Sequence, residues 1–344
     1  MDLHGRGGAR PWARAGVALA GLALAGLALA APARGQEAPA HGFGPAREVA
    51  TLADPAIDEA SGLAPSRRLP GALWVHNDSG DGPRLFLVEA RTGRTLAVAR
   101  IVGVPRGPVT TLVQAVDWED VASFRHAGEA WLLVGDLGDN ESKRPHVTLY
   151  LVREPDVEPP PPGAPPAELV APVKRRIDVT YADGPHDCEA LAVDPTDPAG
   201  PAAWLVTKER ARGVKPKAYR LPLFGEQAGE QALTAVAEVD VPGLVTAGDM
   251  SPDGRRLVLL HYRDAYLFTR QDDEAWAAAL GRAPVRIPMP RRKQGEALCF
   301  DDAGRALWLT SELPPAPLWE VPPADEAPPP PAPDAPPSPP RREL

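Results

Sequence analysis

Five short segments of the chain place a carboxylate beside a small or apolar residue and then a hydrophobic pair. They are Glu59-Ala-Ser-Gly-Leu63, Trp118-Glu119-Asp120-Val121, Cys188-Glu189-Ala190-Leu191, Gly248-Asp249-Met250 and Gly295-Glu296-Ala297-Leu298. Carboxylates brought together repel one another, and burial raises their pKa values. They are tolerated when they hold a hard cation, accept backbone N–H groups or water, or pair with Lys and Arg. An all-oxygen donor set suits Ca²⁺, which takes six to eight oxygens. The metal candidates are therefore Glu59, Glu119, Asp120, Glu189, Asp249 and Glu296. A polar, water-filled channel, with Asp residues capping turns, is the competing reading of the same residues.

Each segment is followed by a turn and a β-type run carrying Trp or Leu: Ala72–His76, Ala130–Val134, Ala203–Thr207, Arg256–Leu260 and Ala306–Thr310. A third run follows each of these. Four of the five units have a fourth, at Thr95–Ile101, Arg176–Thr180, Ala235–Val241 and Pro284–Ile287. Repetition of a four-strand unit is the mark of a β-propeller. The fifth unit lacks its fourth strand, and a spare strand, Arg47–Leu52, precedes the first unit. Lending the spare strand to the last unit would close a ring and leave few open edges. The expected fold is all-β, a propeller of five four-stranded blades closed by an N-terminal strand. Six blades is the alternative, if Val102–Val116 conceals a degenerate unit. Pro252-Asp253-Gly254 and Asp302-Ala-Gly304 supply tight turns. One short helix is expected within Asp272–Leu280.

In such a unit the start of the first strand and the end of the second share one face. The second strands end at Asn77-Asp78, Gly135-Asp136, Lys208-Glu209, His261-Tyr262-Arg263 and Ser311-Glu312. The ligand-binding set at one mouth is therefore Glu59, Asp78, Glu119, Asp120, Asp136, Glu189, Glu209, Asp249, Arg263, Glu296 and Glu312. Candidates for acid–base work are Glu189, Glu296, His186 and Lys208. His76 and His261 also fall near this mouth.

Residues 1–35 read as a signal peptide: Arg6, Arg10 and Arg14 precede an apolar run from Ala15 to Ala31, then small residues. Its loss would move the formal charge from −9 to −12. An acidic chain is poorly suited to nucleic acid. The expected location is secreted or periplasmic, with no membrane span in the mature chain. Residues 46–321 form the expected domain, with a Pro-rich surface loop at 155–172. Residues 322–344 read as a disordered Pro-rich tail that could meet an envelope partner. Cys188 and Cys299 lie in units three and five, too far apart to bridge, and are expected as free, buried thiols. Trp74, Trp131, Trp204 and Trp308 recur in second strands as packing residues. There is no Gly-x-Ser-x-Gly and no His-Glu-x-x-His.

Glu59-Ala-Ser-Gly-Leu63, Asp117-Trp-Glu-Asp120, Gly135-Asp-Leu-Gly-Asp-Asn140, Asp187-Cys-Glu-Ala-Leu191 and Gly295-Glu-Ala-Leu298 resemble motifs of secreted bacterial β-propellers. The group is the phytase-like, or esterase-like, one together with the SdiA-regulated proteins. The resemblance implies a propeller with calcium-compatible acidic sites on its axis. By analogy with the alkaline phytases, Lys208, Arg263, Arg292 and Lys293 would meet phosphate. The chain departs from the phytases in blade count and lacks their full string of calcium ligands. Three functions stay open: a module binding a cation or small ligand without turnover, a calcium-assisted phosphoesterase or esterase-like hydrolase, and a non-catalytic envelope scaffold.

Overall fold

A computed structural model describes residues 41–103, 105, 106, 109, 110, 112–225 and 229–326. The predicted leader lies outside these residues, as does the tail beyond residue 326. Among the described residues the fold is all-β, with one five-residue helix, α1 (Trp276–Leu280), inside the expected span. No helix among them is long and apolar enough to cross a membrane.

The strands fall into five successive units. The first follows β1 (Arg47–Thr51) and holds β2 (Ala60–Pro65), β3 (Ala72–Asn77), β4 (Arg84–Glu89) and β5 (Thr95–Val102). A two-residue hairpin, β6 (Pro105–Arg106) and β7 (Val109–Thr110), is all the strand structure described between units one and two. The second unit holds β8 (Trp118–His126), β9 (Glu129–Asp136), β10 (Val147–Arg153) and β11 (Ala167–Tyr181). The third holds β12 (Cys188–Asp194), β13 (Ala202–Thr207), β14 (Lys217–Pro222), a short β15 (Gln231–Leu233) and β16 (Ala235–Glu238). The fourth holds β17 (Val245–Met250), β18 (Arg256–His261), β19 (Asp264–Thr269) and β20 (Val285–Pro288). The fifth has β21 (Ala297–Phe300), β22 (Leu307–Thr310) and β23 (Pro317–Val321).

The spare strand pairs with the last: β1 runs antiparallel to β23, and its sheet reads β1-β23-β22-β21. Glu320 on β23 holds Arg47 of β1 at 2.7 Å and Arg91 at 2.7 Å. Contacts extend past both expected domain bounds. Phe43 is buried and bridges Pro323, and Ala324 N–H donates to the Gly42 carbonyl.

The first strands β2, β12, β17 and β21 are buried at every position, and β8 at all but its last two. This is why they appear in sequence as short apolar runs rather than an alternation. Strands β2, β8, β12, β17 and β21 each pack against the next, and β21 packs against β2. Trp74, Trp131, Trp204 and Trp308 are buried between sheets. Gly254 and Gly304 adopt φ of 65° and 71°, as the turns they close require.

Two expectations need correction. The Pro-rich insert is not loop throughout. Strand β11 begins at Ala167, and Ala167–Pro172 pairs in parallel with Ala97–Val102 of β5. This joins units one and two edge to edge in a nine-stranded sheet. Residues 167–172 alternate half-buried or buried with exposed positions and are flanked by proline, so they lack the unbroken apolar run of the buried strands.

The second correction concerns register. Strands β2, β8, β12 and β17 each carry one unpaired extra residue near their start: Ser61, Glu119, Glu189 and Thr246. In unit four the equivalent of Glu119 is therefore Thr246. Asp249 sits three residues deeper, opposite Val258. Gly248-Asp249-Met250 imitates the repeated phrase but is out of frame, because a carboxylate beside apolar residues occurs at two depths of the strand.

Candidate functional site

The bulges turn Glu119 and Glu189 out of the ladder beside Asp117 and Asp187, each two residues earlier. Two groups of carboxylate oxygens result, each within 4.8 Å of one another: Asp78, Asp117 and Glu119, and Glu119, Asp187 and Glu189. Glu119 belongs to both. It is 4 % exposed, and burial, then the neighbouring Glu189 and Asp78, push its carboxyl well above the usual range. Burial also raises Asp117, and takes Asp78 to about 6.

Gly138 forms the floor of this arrangement. A Cβ there would lie 2.1 Å from Glu119 Oε1 and 2.4 Å from Asp117 Oδ2. Only a glycine lets the backbone lie against both carboxylates. Its N–H donates to the Asp117 carbonyl at 3.1 Å, and its carbonyl accepts from Arg144 Nη1 at 2.7 Å. Arg144 also pairs with Asp136 at 2.8 Å, so Asp136 positions the loop rather than facing the cluster. Asp136 further accepts the Asp117 N–H at 3.1 Å.

The second group is bonded to cations of the chain itself. Lys208 Nζ binds Glu189 Oε2, and both side chains are 5 % exposed. Burial alone would lower the Lys208 pKa; the Glu189 carboxylate overrides it and raises the value. Arg210 binds Asp187, reaches Asn140 Oδ1 at 2.6 Å, and approaches Glu189 Oε1 at 3.5 Å. Lys208 also lies 5.3 Å from the centre of the Tyr262 ring, and Tyr262 Oη donates to Glu296 Oε1 at 3.1 Å. Gln294 Nε2 donates to Glu312 Oε2 at 2.6 Å. Burial, then the adjoining Glu296, pushes Glu312 up to about 9, so it holds a proton at neutral pH.

Glu59 is exposed and lines a recess of about 250 Å³ with Asp58, Asn77, Asp81 and Arg84. Glu209 accepts from Thr207 Oγ1 at 2.9 Å, and its carboxylate lies 3.8 Å from His186 Nδ1. His186 Nε2 is 3.2 Å from Asp183. Arg263 is exposed, as are its neighbours in expectation, Lys293 and the tip of the loop carrying it. Arg292 packs its guanidinium over Gly295, where burial lowers it to about 10. His76 is fully buried against Gly62, and burial takes it to about 4, so it stays neutral.

Two expected ligands stand apart. Asp120 Oδ2 accepts the N–H groups of Leu191 at 2.9 Å and Gly248 at 3.1 Å, and Oδ1 accepts that of Val121 at 2.8 Å. Asp249 accepts from Met250 and Phe300, each at 2.8 Å. Their oxygens tie the first strands of different units together within the core.

Asp117, Asp187, Arg210 and Gly138 were absent from the expected site. A signal was available: Asp-x-Glu recurs as Asp117-Trp-Glu119 and Asp187-Cys-Glu189. Cys188 and Cys299 are free and buried, as expected. No family model matches the chain, and no curated protein is similar to it.

Proposed function

We propose that the five units are the blades of an exported β-propeller, closed by β1, whose acidic mouth binds a hard divalent cation, calcium, without turnover. The observation that carries this reading is the pair of carboxylate clusters sharing Glu119. The donors are all oxygen, which favours Ca²⁺ or Mg²⁺ over softer metals. Calcium accepts irregular, many-membered oxygen shells, whereas Mg²⁺ demands a near-ideal octahedron. The Gly138 cradle supports the fit, since it keeps two carboxylates close that would otherwise separate. Closure by β1 is supported by its pairing with β23, and the ring by the contacts among the five first strands. Export is supported by the basic and then apolar leader.

A second reading, a calcium-assisted phosphate- or acyl-ester hydrolase, draws on Glu312. A carboxyl group that holds its proton at neutral pH beside Glu296 has the form of a general acid. Calcium would polarise the ester oxygen, and Lys208 and Arg210 would face the anionic part of the substrate.

Melting of the mature chain in Ca²⁺ and in chelator tests the first reading. Ligand at a hundredfold its Kd adds about 2.7 kcal/mol, which is a rise of roughly 5 °C for a domain of this size. An unchanged melting temperature would sink it. Assays with generic phosphate and acyl esters, run on the same sample, separate the second reading from the first.

A further inference from the structure

The two carboxylate clusters repeat one pair, Asp117 with Glu119 on unit two and Asp187 with Glu189 on unit three, and the residue that follows the second strand differs in sign between units one and three. Thr207 is the last paired residue of β13 and Asn77 the last of β3, opposite Cys188 and Ala60 respectively. The next residue is Lys208 in the third unit and Asp78 in the first. The fold thus presents an ammonium and a carboxylate at the same height of the same mouth.

We propose that Lys208 and Arg210 act as built-in counter-ions of the Glu119–Asp187–Glu189 cluster and so confine bound calcium to the Asp78–Asp117–Glu119 cluster, one ion per chain. The proposal rests on the cation-binding reading above. In the Lys208 half the oxygens are already engaged. Glu189 Oε2 holds Lys208, Glu189 Oε1 faces Arg210 at 3.5 Å, Asp187 Oδ2 holds Arg210, and Asp187 Oδ1 accepts the Asp139 N–H at 2.9 Å. A divalent ion there would have to displace two cations and would meet a buried ammonium at short range. Lys208 cannot easily swing away, because its side chain is 5 % exposed and packed over Tyr262. In the Asp78 half, among the described residues, no ion pair forms at Asp78, Asp117 or Glu119; Arg144, on the adjoining loop, is held by Asp136. The side chains of the chain take the place of the second ion.

Isothermal titration of the full mature chain with CaCl₂, checked by metal analysis after gel filtration, counts the ions. Wild type is expected to bind one. The double variant Lys208→Met, Arg210→Gln is expected to bind two, with an unchanged circular dichroism spectrum. Asp78→Lys, which copies the third unit's ammonium into the first, is expected to bind none. Its substitution is at a partly exposed rim, so it tests the idea even if the double variant does not fold. Two ions in wild type, one ion in a folded double variant, or calcium retained by Asp78→Lys would overturn the proposal while leaving cation binding standing. No binding by wild type would overturn both.

Discussion

Asp120 and Leu191 belong to different units, yet Asp120 Oδ2 accepts the Leu191 N–H at 2.9 Å, and the same oxygen takes Gly248 N–H at 3.1 Å. One fully buried carboxylate therefore ties the first strands of three units. Burial works against its charge, and three amides partly offset that cost. Asp120→Ala would leave three buried N–H groups without an acceptor. Each such group costs about 1–3 kcal/mol, so a loss of roughly 3 kcal/mol or more is expected in urea unfolding. A variant as stable as wild type would show that water or neighbouring carbonyls replace the carboxylate.

Asp249 gives stability a pH dependence of definite sign. Burial raises its folded-state pKa from 3.8 to about 6, against the Arg67 charge and two amides. The folded state then binds the proton more tightly than the unfolded chain. Its stabilisation is complete below about pH 4 and is lost as pH rises through 6. A shift of this size is worth about 3 kcal/mol. Denaturation between pH 4 and 7, in chelator, should show a steeper decline for wild type than for Asp249→Asn. Parallel curves would remove Asp249 as the source.

Gly138 should be indispensable to cation binding but nearly neutral to folding. Ala at this position drives a methyl to within 2.1 Å of Glu119 Oε1 and 2.4 Å of Asp117 Oδ2, both movable side-chain atoms. The carboxylates must part. Calcium affinity in Gly138→Ala is expected to fall at least about tenfold, or about 1.4 kcal/mol, with melting in chelator almost unchanged. Wild-type affinity in this variant would remove the cradle from the account of the site.

Deletion through residue 51 removes β1 and exposes the full edge of β23, including Glu320, which loses its partner Arg47. Open edges favour association with other chains. The truncated protein is expected to aggregate, or to melt well below the full chain, in light scattering and calorimetry. A monomer of unchanged stability would show that β1 is dispensable to the fold.

Cys188 and Cys299 are both fully buried, and burial raises both thiols. Neither should react with an aromatic disulfide reagent until guanidinium unfolds the chain, when two thiols should titrate. Fast reaction of either in the native protein would contradict the core packing.

The repeated unit, the spare first strand, the short last unit, the turns at Gly254 and Gly304 and the free thiols were all legible in the linear chain. They rest on local periodicity and turn chemistry, which neighbouring residues along the chain determine. That carboxylates sit at first-strand starts, Glu119 and Glu189 among them, was legible for the same reason. The tertiary structure decided which carboxylates meet. Glu119 and Asp120 are adjacent in sequence, but a one-residue bulge sends Glu119 to its carboxylate neighbours and Asp120 into the core, where amides from two other strands bind it. Asp249 follows the same phrase in the wrong frame and ends beside Phe300 N–H. Lys208 and Asp78 end equivalent second strands, but only the fold shows that Lys208 is paired with the Glu189 carboxylate while Asp78 faces Asp117 and Glu119. Composition assigns the charges, but register and the packing of one strand on the next determine which are paired, buried or left facing one another.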